Sequence, residues 1–276
     1  MRLAGFYVFA VAVILLPVLF PDNYFVTVVG ISAGLHVILA VGLNLLMGYA
    51  GQISLGHGAF FGMGAYASAI LTARYAWPAP LAMVAGLALA GMIAWLLARP
   101  ILRLRGHYLA MATLGFGIIV HVIMVQATRW TGGPDGLTGI PTLNLLGWPV
   151  DSDSRWYAVI AVAMLLAIWL SLNLIDSRIG RALRAVHGSE FAAQMLGIDT
   201  GRAKTQVFVV SALFAAFAGS LFAHQQGFVS PDSFSLMVSV ELVTMVVLGG
   251  MASTFGAASG AIALTLLHAG LVVFED

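Results

Sequence analysis

The sequence contains no cysteine among its 276 residues. Disulfide bonds, thiol catalysis and thiolate metal sites are therefore excluded, and cysteine usage gives no indication of the redox compartment. Charge is scarce as well, because only 8% of the residues are Asp, Glu, Lys or Arg, whereas soluble domains carry about 25%. The formal net charge of +1 argues against a nucleic-acid-binding protein, which would present an excess of basic residues.

Several catalytic motifs are also missing. No Gly-Lys dipeptide occurs, so the chain has no Walker A loop for nucleotide phosphates. No His-Glu-x-x-His zinc motif is present. We therefore predict no metal site, no cofactor held by this chain and no enzymatic activity. The seven histidines are scattered along the sequence, at His36, His57, His107, His121, His187, His224 and His268.

Apolar residues are abundant: they make up 61% of the chain, and the mean hydropathy is +1.01. A helix needs roughly 20 apolar residues to cross a bilayer, and continuous rather than alternating runs disfavour membrane strands. We predict an all-α fold, a polytopic bundle of about 8–10 transmembrane helices forming one membrane domain over residues 1–276. The first run is read as a retained helix rather than a signal peptide. The predicted spans are 3–20, 25–46, 53–72, 79–98, 107–127, 156–175, 206–226, 237–250 and 256–273, of which 237–250 is short enough to be tilted or broken.

The polar gaps between these spans fall alternately on two sides. Nine of the twelve basic residues lie on one side, which the positive-inside rule makes cytoplasmic together with the N-terminus. They are Arg2, Arg99, Arg103, Arg105, Arg178, Arg181, Arg184, Arg202 and Lys204. The other side collects acidic residues and a predicted belt of interfacial aromatics, namely Tyr24, Tyr75, Trp77, Trp130, Trp148, Trp156 and Tyr157.

One stretch, residues 42–64, does not look like a plain lipid-facing helix. It contains seven glycines and four polar residues, which are Asn44, Gln52, Ser54 and His57. Broken backbone is tolerated in a membrane only where it is buried in protein or lines a cavity. We therefore predict a broken segment inside the bundle. Close helix packing through Gly58 and Gly62 and lining of a translocation path by the four polar residues are alternatives that can both hold.

Glu241 is the one acidic residue predicted within the membrane spans. An ion-coupled transporter needs ionisable groups at depth, so Glu241 joins the candidate path residues. The alternative is a structural position near the outer mouth, paired with a neighbour such as His224 or Gln225. The scarcity of intramembrane charge disfavours a secondary transporter and indicates an energy source on a separate protein.

Residues 176–204 form the longest segment on the basic side. Ser177 can cap a basic helix ending near His187, and Ser189 followed by Glu190 can begin a second helix that ends at Gly197. Its apolar face would comprise Phe191, Met195 and Leu196. We predict docking of this face onto a soluble partner, with a membrane-surface helix as the alternative. The turn-rich loop 130–141 on the other side is either a connector or a contact for an external partner.

The glycine-rich run 42–66 closely resembles the signature region of branched-chain amino-acid ABC importer permease subunits of the LivM type. Resemblance continues, in the order found in the family, through residues 104–117, 132–141, 177–204, 227–234 and 247–250. It covers most of the chain from residue 40 to 265. The family pattern departs at Ile118, where a glutamate is common. It also continues past Phe274 with another helix and a cytoplasmic tail, so the resemblance implies a chain shortened at its C-terminus.

The resemblance implies a permease subunit in an inner membrane that pairs with a homologous LivH-type permease. Two cytoplasmic ATPase subunits would carry ATP and Mg²⁺, and a periplasmic binding protein would deliver branched-chain amino acids. Related permeases for urea, short amides or other amino acids share these motifs; a secondary transporter and a membrane-embedded enzyme are further alternatives. The segment expected to seat in a cleft of the ATPase comprises Arg181, Ala182, Arg184, Ala193, Leu196, Gly197 and Ile198.

Overall fold

The computed structural model describes residues 2–19, 24–102, 104, 106–145 and 148–275. It is a helical bundle, as predicted. The helices are α1 (Arg2–Leu19), α2 (Tyr24–Asn44), α3 (His57–Tyr75), α4 (Ala79–Ile101), α5 (His107–Gln126), α6 (Thr128–Thr131), α7 (Asp153–Asp176), α8 (Arg178–Gly188), α9 (Glu190–Met195), α10 (Thr200–Gln226), α11 (Leu236–Gly249) and α12 (Thr254–Glu275). Arg103 and Arg105, two of the predicted basic-side residues, lie outside the described residues.

Seven segments of the described chain are long and apolar enough to cross a membrane. The seven segments are α2 with the π-helical turn that follows it, α4, α5, α7, α10, α11 with the 3₁₀ turn that precedes it, and α12. Two more predicted spans are helical without meeting that standard. The described side chains of α1 cover only Gly5–Pro17, and α3 carries glycine, serine and histidine at several of its 19 positions. Most of α3 is buried between other helices, so it does not require a uniformly apolar surface.

The most buried helices, α2, α3 and α10, form the centre of the bundle. α10 packs along α3 and α4, and α2 packs against α12, α7 and α10. α3 and α10 approach each other closely, with Gly64 against the backbone of Ala216 and Gly219 against the carbonyl of Phe61. A Cβ atom on either glycine would meet backbone atoms of the facing helix. Small residues at these positions therefore permit backbone contact between the helices.

The predicted break in the glycine-rich segment is confirmed. The chain leaves α2 through a π-helical turn, Leu45–Tyr49, then runs without helical structure from Gly51 to Gly56. Gly51 has a φ of +65°, a conformation that residues with a Cβ adopt at a cost. The break allows α3 to begin inside the bundle, and Gly58 donates its backbone N–H to Ser239 Oγ at 2.9 Å.

We call the end of the bundle that carries α8 and α9 the basic end, and the other the opposite end. At the opposite end, β1 (Leu137–Thr138) pairs antiparallel with β4 (Phe228–Val229), and β2 (Asn144–Leu145) pairs with β3 (Trp148–Pro149). The residues of the predicted aromatic belt differ in exposure. Tyr75, Trp77, Trp130 and Trp148 are exposed, whereas Trp156 and Tyr157 are buried. For these two the belt prediction is wrong, because they pack inside the bundle, and Tyr157 donates a hydrogen bond to the Val13 carbonyl at 2.8 Å.

The span predicted at 237–250 is short, as expected. The chain after β4 turns back into the protein as a 3₁₀ turn, Pro231–Phe234, and α11 starts directly after it. Phe234 is buried and stacks edge-on against Phe61, Tyr66 and Phe222. The turn forms the first part of this apolar segment, and α11, which follows it, has 14 residues.

Candidate functional site

The segment 176–204 at the basic end folds as two short capped helices, which confirms the predicted secondary structure. The Ser177 hydroxyl accepts hydrogen bonds from the backbone N–H groups of Ile179 and Gly180 at the start of α8. The Ser189 hydroxyl does the same for Ala192 in α9. The chain then reverses at Gly197, whose φ is +78°. Both N-terminal caps satisfy backbone donors that would otherwise have no partner.

The apolar face predicted for α9 is present and uncovered. Phe191, Met195 and Leu196 are 69%, 70% and 79% exposed. We call these three side chains the α9 patch. A cluster of large apolar side chains at a polar end of the bundle is typical of a surface that binds another molecule.

The remaining predicted coupling residues are arranged around the α9 patch in different ways. Arg181 and Arg184 are exposed, and their guanidinium groups donate to the carbonyls of Asp176 and Ile175 at 3.1 and 2.9 Å. The predicted residues that are not exposed are Ala182 and Ile198, which are half-buried, and Ala193, which is 1% exposed. Ala193 therefore packs α9 onto the bundle and has no surface to offer a partner.

An ion pair that the sequence did not reveal attaches α9 to α10. Lys204 Nζ lies 2.6 Å from Glu190 Oε1, and the lysine side chain is only 3% exposed. Thr200 and Gln194 extend the pair, because Gln194 Nε2 donates to Thr200 Oγ1 at 3.1 Å. Lys204 was counted among the basic-side cations, but its charge is neutralised locally. A buried cation needs such a partner.

Asn44 is fully buried at the end of α2. Its Nδ2 donates to the Ser253 carbonyl at 3.1 Å, and its Oδ1 accepts from the Ala252 N–H at 3.0 Å. Both groups are thus used to hold the turn between α11 and α12, where Ala252 has a φ of 60°. Asn44 thus links the α11–α12 turn to the end of α2. Its predicted place in the translocation path stays a prediction.

The other predicted polar residues of the broken segment lie near one another. Ser54 is buried and its Oγ accepts from the Gly56 N–H at 3.4 Å. Gln52 Nε2 donates to the Ala50 carbonyl at 3.2 Å, and its Oε1 has no partner within the described residues. His57 is 2% exposed, and its Nε2 likewise lacks a described partner. Unpaired buried groups of this kind can receive water or a polar ligand.

Glu241 lies on α11 and is half-buried. The expectation that it pairs with His224 is wrong, because the two ring nitrogens of His224 contact Ser68 Oγ and the Pro141 carbonyl, both at 2.8 Å. Glu241 lies within electrostatic range of His36 on α2, and His36 Nδ1 is 2.9 Å from Thr265 Oγ1 on α12.

A cavity of about 250 Å³ opens beside the broken segment, between α3, α5 and the start of α11. Its polar lining is His121, Ser235 and Ser239. None of these was predicted to line a path, because His121 and Ser239 are single polar residues in apolar runs and Ser235 ends the polar stretch 230–235 without a binding motif. Ser239 could be found only through its hydrogen bond to Gly58, which lies 181 residues away in the sequence.

In the part of the chain that the structure describes, no three His, Asp or Glu side chains come together to form a set of metal ligands. The described residues present an exposed apolar patch at the basic end and several polar groups within an apolar bundle. This combination is typical of a transport subunit.

Comparison with known proteins gives the family. Residues 25–275 match the family described as branched-chain amino acid transport system, permease component. The high-affinity branched-chain amino acid transport system permease protein LivM of Escherichia coli strain K12 is 38% identical, with 84% of this chain and 60% of that protein covered. LivH of the same strain is 26% identical over 87% of this chain and 83% of that protein. The autoinducer 2 import system permease protein LsrC of Escherichia coli O9:H4 is 30% identical, with 90% of this chain and 72% of that protein covered.

No solved structure matches the chain. The chain spans about three fifths of the length of the LivM relatives. With a family match over residues 25–275 and seven helices able to cross a membrane among the described residues, this is a multi-pass membrane protein that belongs to the branched-chain amino acid transport system permease family.

Proposed function

We propose that this chain is the membrane-spanning permease subunit of an ATP-binding-cassette importer for branched-chain amino acids. Family membership supports the assignment, and the observation that carries the coupling mechanism is the exposed α9 patch. Two ATPase subunits hydrolyse ATP, and this chain, which has no Walker A loop, hydrolyses none. A LivH-type permease completes the path, and a periplasmic binding protein delivers the substrate.

Coupling is proposed to act through residues 176–204. Phe191, Met195 and Leu196 enter a cleft of an ATPase subunit, where burying three large apolar side chains supplies association energy, about 1.5–3 kcal/mol each when fully buried. Exposed Arg181 and Arg184 flank the contact and can meet carboxylates on the partner. Ala193, Glu190 and Lys204 keep α9 in place. Gly197 and Ile198 complete the turn that returns the chain to α10.

The orientation follows from the same assignment. The basic end faces the cytoplasm in accordance with the positive-inside rule, the N-terminus is cytoplasmic and the membrane is the inner membrane. The ladders β1–β4 and β2–β3 then face the periplasm. Gln52, Ser54, His57 and Glu241 are proposed to lie along the translocation path. Asn44 is proposed to border it through the turn that it holds.

The deciding experiment replaces Leu196 with glutamate in the assembled transporter, reconstituted with its ATPase subunits. Leu196 is 79% exposed, so Leu196→Glu leaves the fold intact, while a carboxylate in an apolar cleft opposes docking. We expect loss of ATPase co-purification and of stimulated hydrolysis. The control is Trp148→Glu, at a 68% exposed position of the opposite end, which should leave ATPase docking unchanged. Normal docking of the Leu196 variant would contradict the assignment.

Substrate is tested separately, by stimulation of ATP hydrolysis with binding protein loaded with leucine, isoleucine or valine. LsrC, which shares 30% identity with this chain, carries a name that refers to autoinducer 2, so family membership alone does not determine the cargo. Stimulation by a urea or amide binding protein and not by a leucine-loaded one would keep the importer assignment and change the substrate.

A further inference from the structure

A groove with a cavity volume of about 770 Å³ lies at the basic end, between the end of α4, α8 and the first turns of α10. Its cationic groups are Arg99 and Arg202. The Arg99 guanidinium lies 5.0 Å from the centre of the Trp95 ring, and the Arg202 side chain is 84% exposed. Both cations therefore remain available to a ligand.

One carboxylate belongs to the same groove. Asp199 caps α10 by accepting from the Arg202 N–H at 2.9 Å, and its other oxygen lies 3.6 Å from Arg202 Nε. This exposed pair is weak and leaves the remaining guanidinium nitrogens of Arg202 free to bind. With two guanidinium groups against one carboxylate, the groove has a net positive charge.

A second, apolar groove continues from the first along α10. It has a volume of about 470 Å³ and lies between α4, α7 and α10, with Leu87, Leu166, Leu170 and Leu213 among its lining residues. Val210 lines both grooves. α4 and α7 each contact α10, so the second groove runs along the side of a membrane-spanning helix, where hydrocarbon chains pack.

We infer that the two grooves together bind one anionic phospholipid. Arg99 and Arg202 hold the phosphate headgroup at the basic end, Trp95 lies at the level of the glycerol, and the acyl chains occupy the apolar groove beyond Val210. A positive mouth that opens into an apolar groove matches an anionic lipid in both charge and polarity. A soluble phosphate would use only the first groove, and a zwitterionic lipid would gain less from the two cations.

The test uses the full chain, stripped of lipid in detergent and offered equal amounts of phosphatidylglycerol and phosphatidylcholine. Native mass spectrometry then counts the retained lipids. We expect one phosphatidylglycerol held in preference. Since each cation near an anionic headgroup is worth about fivefold in binding, Arg99→Gln with Arg202→Gln should lower the preference at least tenfold. Equal retention of both lipids by the unmodified chain, or an unchanged preference in this double variant, would overturn the proposal.

Two controls separate this site from general effects of charge. Arg129→Gln with Arg155→Gln removes two exposed cations at the opposite end and should leave the preference unchanged; a matching loss would assign the lipid to bulk electrostatics. Leu166→Trp fills the apolar groove from a position that is 46% exposed, so folding should persist while phosphatidylglycerol retention falls. Undiminished retention in this variant would exclude the acyl-chain placement.

Two other occupants of the groove would also overturn the proposal. Displacement of phosphatidylglycerol by millimolar glycerol 3-phosphate would show a headgroup site without an acyl component. Loss of the lipid on assembly with the second permease would show that a protein surface covers the groove. Retention of the lipid in both experiments is the expected result. None of these measurements depends on transport, so the lipid site and the importer function can fail independently.

Discussion

Asn44 shows how a single polar side chain can hold two distant elements together. Its side-chain amide donates to the Ser253 carbonyl at 3.1 Å and accepts from the Ala252 N–H at 3.0 Å, both in the α11–α12 turn. Ala252 is held at a φ of 60°, which a residue with a Cβ adopts only when its surroundings favour it. The side chain thus determines the shape of this turn.

Replacement of Asn44 by leucine should destabilise the protein. Two backbone groups lose their partners, which costs about 1–3 kcal/mol for each group left buried. Because Ala252 and Ser253 are exposed residues, water can replace part of the loss, and we expect a decrease of about 1 kcal/mol in the free energy of unfolding. Thermal denaturation in detergent measures the change. Asn173→Leu, at an exposed position of α7, is the control, and equal stability of the two variants would contradict the role given to Asn44.

Glu241 gives a second prediction at this scale. An intramembrane carboxylate is a candidate for ion coupling, but an importer driven by ATP in trans needs no proton movement through this residue. We expect Glu241→Gln to leave leucine uptake insensitive to a protonophore, as in the unmodified transporter. Uptake into proteoliposomes supplied with ATP measures this. Thr244→Val on the same helix serves as the control, and a gradient-dependent loss of uptake specific to Glu241→Gln would favour a secondary transporter.

Residues whose structure depends on their near neighbours were predictable. Ser177, Ser189 and Gly197 act within a few residues of themselves, so the sequence was enough to place both caps and the helix end. Glu241 was paired with His224 because the sequence does not show that the His224 ring nitrogens contact Ser68 and Pro141, which are 156 and 83 residues away. The contact of Asn44 with the Ala252–Ser253 turn could not be predicted for the same reason, because the partners are more than 200 residues apart. No periodicity in an apolar sequence indicates which helices are neighbours.

The contact between α3 and α10 depends on small residues. A Cβ atom at Gly64 would meet the backbone of Ala216, which cannot move without separating the helices. We expect Gly64→Ala to cost about 1–3 kcal/mol, as overpacking commonly does. At Gly115 in α5 a Cβ would meet nothing within 4 Å, so Gly115→Ala is the matched control. Thermal stability and yield in detergent distinguish the two, and an equally stable Gly64 variant would show that the helices can separate without penalty.

Elements in lipid were predicted with the least error, because the hydrocarbon layer requires long apolar runs. α4, α5 and α12 begin within two residues of the predicted positions. The short α11 was recognised by its length, but the reason for it was not, because the 3₁₀ turn Pro231–Phe234 enters the bundle through contacts with three distant aromatic rings. Hydropathy reports the exposure of a segment to lipid and does not report such re-entry.

The orientation of the whole molecule can be tested directly, because the chain has no cysteine. Single substitutions Ser189→Cys at the basic end and Ser152→Cys at the opposite end both fall on exposed residues. We expect a membrane-impermeant maleimide to label Ser152→Cys in intact cells and Ser189→Cys only after the membrane is opened. The reverse pattern would place α9 outside the cell and would be incompatible with coupling to cytoplasmic ATPase subunits.

α10 also connects the two ends of the molecule. At the basic end, the ion pair of Glu190 and Lys204 holds α9 against the first turns of α10. At the opposite end, α10 leads through Gly227 into β4, which pairs with β1. Its 27 residues form a rod about 40 Å long. α10 is therefore one continuous helix that joins α9 at the basic end to the β1–β4 pair at the opposite end.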